Sequence, residues 1–169
     1  MVRSAGLYLF ISVGAEKSLQ SIPLADIMGS PDAYLVLLWD GSFMIIGTGI
    51  DIVEIARFRK ILKGAGERFL VRVFTREEQR FCLKRKDSAP HFAVRFAAKE
   101  AVFKALETGW AKGVTWLDVE VLRQEMGAPS VLLHGATQEI AALKGVERVH
   151  LSLTHTDNWA AATAILEKI

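Results

Sequence analysis

A single cysteine, Cys82, stands among 169 residues, so no internal disulfide can form. One reduced thiol fits the cytosol, and a cytoplasmic location is the expectation. No apolar run reaches the ~20 residues that a membrane-spanning helix needs, so no membrane partner is expected. Repeats and low-complexity tracts are missing. Gly47 and Gly49 form a lone G-x-G, but Ile52 stands where a dinucleotide fingerprint requires a third glycine. That fingerprint is therefore excluded.

What is present points to one globular domain with an ample core, since 51% of the residues are hydrophobic. The net charge of +2 is unevenly spread. Residues 57–86 hold eleven Lys or Arg against three acids, a net of +8. Such a block attracts an anionic partner: nucleic acid, membrane surface, nucleotide or acidic protein. A solvated helix surface gives the same pattern. Residues 1–43 differ in character. Arg3 precedes an apolar stretch at 5–15 that faintly resembles a secretory signal, though with one charge only. A second apolar run, 33–39, follows a Gly/Ser/Pro break. Residues 1–43 are expected to be an extension, with the folded domain over 44–169 and Met44 a natural first residue.

"MIIGTGIDIV" (44–53) is β-branched and bounded by glycine, which predicts a buried strand. Residues 54–64 predict a short helix ended by Gly64. Thr75 and Glu78 have capping-box spacing, so a helix is expected over 76–86. Pro90 suits the first turn of a longer helix running to about Leu106. "VTWLDVEVL" (114–122) alternates like a strand and should pair with "SVLLH" (130–134) across the turn at 125–130. A helix over 136–145 and a hairpin of 148–155 with 159–166 complete a mixed α/β (α+β) chain, a sheet packed on a long central helix.

That central helix, "RFAAKEAVFKAL", is apolar nearly all round yet carries Arg95, Lys99, Glu100 and Lys104. At about 100° per residue from Phe92, the rings of Phe92, Phe96 and Phe103 form a stripe at about 0°, 40° and 20°. Glu100 and Lys104 fall at about 80° and 120°, beside Ala93 and Ala97, on a face of methyl groups that another backbone or a ligand can approach closely. A carboxylate there is costly by several kcal/mol unless a lysine, a metal ion or both compensate it. An i,i+4 ion pair with Lys104 is the structural alternative. Asp51 is a second candidate carboxylate at the end of the first strand, with the N-cap of the following helix as its structural alternative. Gly47 and Gly49 before it admit a backbone or a phosphate. His155 ends a strand at a tight turn. A lone histidine is more often structural than functional.

Together "MIIGTGIDIVEIARF", "RFLVRVFTREE", "RFAAKEAVFKAL" and "SLTHTDNWAAATAIL" resemble the holo-acyl-carrier-protein synthases, the small type of 4′-phosphopantetheinyl transferase. The likeness covers residues 44–169. It implies transfer of phosphopantetheine from coenzyme A to a serine of apo-acyl carrier protein, in fatty-acid biosynthesis, with release of adenosine 3′,5′-bisphosphate. It also implies a homotrimer with active sites between subunits. Asp51 and Glu100 match the residues that bind Mg²⁺ with the pyrophosphate. Hard oxygen ligands are what Mg²⁺ prefers, one or two carboxylates plus phosphate and water. Lys104 would reach the pyrophosphate as a point charge. By resemblance His155 contacts coenzyme A phosphate from the adjacent subunit, and Lys84, Arg85 and Lys86 meet its 3′-phosphate. Arg95 and Lys99 are expected to hold the helix and loop in place, with Lys99 open to a phosphate contact. For removal of the serine proton, a water on the metal and a carboxylate both stay open.

The acidic acyl carrier protein gives the basic block a partner. Arg57 matches a docking arginine, with Lys60, Lys63 and Arg68 as weaker choices. Two positions depart from the family pattern: Glu107 where glycine is common, and Ala128 where a basic residue usually precedes proline. Two other readings compete. A nucleic-acid-binding module would need Phe58, Phe69, Phe74 or Phe81 as stacking platforms. A different Mg²⁺-dependent phosphotransferase acting on a small molecule would leave the basic face unexplained.

Overall fold

The computed structural model describes residues 8–13, 18–23, 44–64, 66–109, 113–123 and 127–169. The chain divides into two units, Met1–Ser42 and Phe43–Ile169. In the first, β1 (Tyr8–Val13) pairs antiparallel with β2 (Ser18–Pro23), Tyr8 opposite Pro23. The apolar run at 33–39 and residues 124–126 of the β4–β5 connection lie outside the described residues.

In the second unit β3 (Met44–Glu54) leads into α1 (Ile55–Lys63), α2 (Gly66–Val73), α3 (Arg76–Leu83) and the long α4 (Ala89–Ala105). Then come β4 (Val119–Arg123), β5 (Pro129–Leu133), α5 (Gly135–Leu143), β6 (Arg148–His155) and β7 (Trp159–Lys168). The strands form a β3-β7-β6 sheet and a β4-β5 ribbon, antiparallel throughout the described residues. This is the α+β class expected, with α4 as the central helix.

β7 alternates strictly. Ala160, Ala162, Ala164 and Leu166 are buried against α4, while Trp159, Thr163 and Ile165 face outward. Small side chains let the sheet lie close to the helix, and β3 lies closer still. A Cβ on Gly47 would sit 2.2 Å from the carbonyl oxygen of Ala105, and one on Gly49 would sit 1.9 Å from that of Ala101. The two glycines thus admit a backbone, that of α4. The phenylalanine stripe packs on the other side, where Phe96 and Phe103 meet Trp116 at ring distances of 4.6 and 5.6 Å.

Five expectations need correction. β3 is not a buried strand: Met44, Ile45, Ile50 and Ile52 are exposed, because only one face of it packs on α4. Residues 116–118 form a 3₁₀ turn capped by Thr115 and Asp118, so the strand begins only at Val119. The Thr–x–x–Asp box there outweighs the β-branched pattern. The helix Gly66–Val73 was not anticipated. The helix from Arg76 ends at Leu83, before the Lys84–Lys86 run, although its capping box is present as expected. Asp51 caps nothing: it lies within β3 opposite Ala162, and Glu54 holds the N-cap position of α1.

Candidate active site

β3 and α4 bring Asp51 and Glu100 together. The Gly47–Gly49 contact sets their spacing, because Asp51 lies two residues beyond Gly49 and Glu100 just before Ala101. Glu100 is half-buried. Burial first, then the neighbouring Asp51 charge, pushes its carboxyl above the usual range, against the opposing pull of Lys104. Lys104 Nζ donates to Asp51 Oδ1 at 2.8 Å and to the Ile50 carbonyl at 2.9 Å. Lys104 therefore pairs with Asp51 across the elements. Two carboxylates beside one ammonium form a hard-oxygen site fit for a divalent cation. Among the described residues no group of three or more His, Cys, Asp or Glu could hold a metal. A two-carboxylate set agrees with Mg²⁺ chemistry, in which phosphate and water complete the shell.

Lys99 has a different role. It is fully buried and donates to Glu78 Oε2 at 2.8 Å, to the Trp116 carbonyl at 2.9 Å and to the Val119 carbonyl. Glu78 in turn accepts from the backbone N–H of Thr75 and of Val121. Burial pulls the Lys99 ammonium below its ordinary range and the Glu78 charge holds it up. This pair ties α3 and β4 to α4, so of the roles left open for Lys99 the structural one fits its full burial.

A cavity of about 400 Å³ gathers Arg85, His155, Arg95, His91 and Arg123, with Phe81 in its wall. Arg85 and His155 were expected at a phosphate site. Lys84 is exposed and does not line this cavity. His91 and Arg123 were not anticipated. The one sequence signal for His91 is its place one turn before Arg95 on the same helix face, which by itself marks no site. Arg95 is buried, its guanidinium 4.1 Å from the centre of the Phe81 ring, and among the described residues its Nε has no hydrogen-bond partner. Phe81 is therefore a platform for cations, whereas Phe58 and Phe74 are core. Arg123 lies over the turn in which Ala128 replaces a basic residue: a Cβ on Gly127 would meet its Nη2 at 3.2 Å. The turn thus has a guanidinium after all.

Arg57, Lys60 and Lys63 on α1 and Arg68 on α2 are all exposed, and among the described residues none of them forms an ion pair. Glu107 points away from the carboxylate pair, with Oε2 2.9 Å from Lys144 Nζ. Its backbone has φ +56°, a conformation suited to glycine.

The family model described as the 4′-phosphopantetheinyl transferase superfamily matches residues 47–164, which hold every site residue above. The chain belongs to that superfamily. A holo-[acyl-carrier-protein] synthase of Koribacter versatilis is 47% identical over 124 residues, which cover 73% of this chain and 99% of that protein. Among solved structures, the Neisseria meningitidis holo-[acyl-carrier-protein] synthase superposes with TM-score 0.68 at 31% identity, covering 74% of this chain and all of that one. The Bacillus anthracis synthase in complex with CoA (3′,5′-ADP) superposes with TM-score 0.62 at 35% identity, covering 75% and 99%. Superfamily membership makes the chain a phosphopantetheinyl transferase. Among the described residues no helix is long and apolar enough to cross a membrane.

Proposed function

We propose that this chain, through residues 44–169, moves the 4′-phosphopantetheine group of coenzyme A onto a serine of apo-acyl carrier protein. Adenosine 3′,5′-bisphosphate leaves. The single observation that carries this reading is the cluster of Asp51, Glu100 and Lys104 where β3 crosses α4. The serine oxygen loses its proton, to a water or a carboxylate, as it forms a bond to the phosphorus next to pantetheine. The bond from that phosphorus to the bridging oxygen breaks, and the oxygen leaves with the adenosine bisphosphate. Bound Mg²⁺, held by Asp51 and Glu100, would supply charge neutralisation and polarisation of the pyrophosphate. Lys104 contributes an ammonium on a flexible stem that reaches a phosphate oxygen.

Within one chain the two parts of the site are separated. Arg95 and Glu100 are five residues apart on α4, which places them about 140° apart around its axis. The basic cavity and the carboxylate pair therefore open on different sides of the helix. A site shared between copies of the chain brings the cavity of one beside the carboxylates of the next. The outer face of the β3-β7-β6 sheet supports such an assembly: Ile50 and Ile52 are 65% and 62% exposed, with Trp159 and Ile165 on the same sheet. We read the assembly as a homotrimer, and sedimentation tests it. A monomer at micromolar concentration contradicts it.

Arg57, Lys60, Lys63 and Arg68 form the docking face for the acidic carrier protein, so association weakens as salt rises. Reaction with coenzyme A, Mg²⁺ and an apo-carrier protein tests the whole reading. The carrier is expected to gain the mass of one phosphopantetheine unit; an unchanged mass overturns it.

A further inference from the structure

His91 lines the basic cavity. It stands half-buried in the first turn of α4. Its ring is 5.6 Å from that of His155 on β6, edge to face, and 6.2 Å from that of Phe81 on α3. Arg95 reaches back from the next turn, with Nη1 donating to the His91 carbonyl at 3.4 Å. Arg85 enters from the segment after α3 and Arg123 from the end of β4. Among the described residues the nearby acid is Asp87, already held by Arg59 at 2.8 Å. Burial first, then His155, Arg85 and Arg95, keep the His91 imidazole below its ordinary range, with Asp87 pulling weakly the other way. Among the described residues the buried Nε of Arg95, in the same wall, has no hydrogen-bond partner.

A phosphomonoester dianion entering this cavity reverses the field at His91. We propose that His91 takes up a proton as a phosphomonoester of the cosubstrate enters, and so sets how strongly the site prefers coenzyme A over its form lacking the 3′-phosphate. This rests on the reading that coenzyme A phosphate occupies the cavity. The sign follows from linkage. The bound dianion raises the affinity of His91 for its proton, so binding tightens as pH falls toward 6.5 and levels off once free His91 is protonated. The ligand acts oppositely. Its own second ionisation, near pH ~6, weakens binding on further acidification. Proton uptake therefore belongs to the protein and proton release to the phosphate.

Calorimetric titration of the full chain with coenzyme A and with dephospho-coenzyme A, without carrier protein, reads this directly. Two buffers of different ionisation enthalpy at each of pH 6.5, 7.2 and 8.0 count the protons. The wild type is expected to take up about half a proton more with coenzyme A, and its preference for coenzyme A to rise about threefold from pH 8.0 to 6.5. His91→Gln should lose both the extra uptake and the pH slope, leaving the preference that the arginines supply. His91→Lys should keep a high preference at every pH with no uptake. Wild-type uptake persisting in His91→Gln overturns the proposal while leaving the cavity reading intact. Equal binding of the two ligands by the wild type overturns the cavity reading itself, as does failure of coenzyme A to bind.

Discussion

Gly49→Ala tests whether the approach of β3 to α4 sets the active site. The added Cβ would meet the Ala101 carbonyl oxygen at 1.9 Å, the Ala105 nitrogen at 2.8 Å and the Ala101 carbonyl carbon at 2.9 Å. All three are backbone atoms, so no rotamer change relieves the overlap. Restoring a close C···O contact of ~3.3 Å requires the strand to retreat by roughly 1.4 Å. Overpacking of this kind costs about 1–3 kcal/mol or more, since α4 is pinned by its buried alanines. For a domain of this size that lowers the melting temperature by roughly 4–15 °C. Asp51 lies two residues along the same strand and moves away from Glu100. A displacement of about 1 Å at reacting groups can cost on the order of 100-fold in rate. Thermal unfolding by circular dichroism gives the first quantity, and the initial rate of phosphopantetheine transfer the second. Gly64→Ala is the control, because the nearest atom to its Cβ lies at 3.6 Å and its φ is negative. A Gly49→Ala protein that melts and transfers like wild type would refute the reasoning.

Lys99→Met leaves the Glu78 carboxylate buried and unpaired, so unfolding should become easier by about 3–5 kcal/mol in a denaturant titration, with Glu78→Gln added to it restoring part of the loss. Glu107→Gly removes a side chain from a left-handed backbone position at φ +56° and should raise the melting temperature by about 2–4 °C; a fall would show that the Lys144 contact matters more. The Cys82 thiol is buried and pushed up to about 12, chiefly by desolvation, so it should resist iodoacetamide in the native protein and react on unfolding. Arg57→Glu should weaken carrier-protein binding at least tenfold at low salt and leave coenzyme A affinity unchanged, measured by titration; loss of coenzyme A binding instead would move Arg57 to the nucleotide site.

The strand–glycine pattern of 44–53, the Thr75 capping box and the Pro90 start of α4 were all legible, because each is a local signal. The pairing of Asp51 with Lys104 was not, since 53 residues separate them and only the β3–α4 crossing joins them. Sequence spacing offered Lys104 to Glu100, its neighbour one turn away, and the fold paired it with Asp51 instead. Lys99 was ambiguous for a similar reason: its partners Glu78, Trp116 and Val119 come from three other segments. Residues 114–118 misled because Val, Thr and Trp favour strands, whereas the Asp118 side chain closes a turn on Thr115. His91 and Arg123 escaped notice because neither belongs to a motif; the cavity that unites them exists only when α4, β4 and β6 are packed.

The central claim is that Asp51 and Glu100 together hold one divalent cation. Titration of the protein with Mn²⁺ in the presence of coenzyme A, read by electron paramagnetic resonance, measures it directly. One bound ion per chain is predicted for the wild type, with the site lost in Asp51→Asn and in Glu100→Gln while both variants still melt cooperatively. Undiminished Mn²⁺ binding by Glu100→Gln would contradict it.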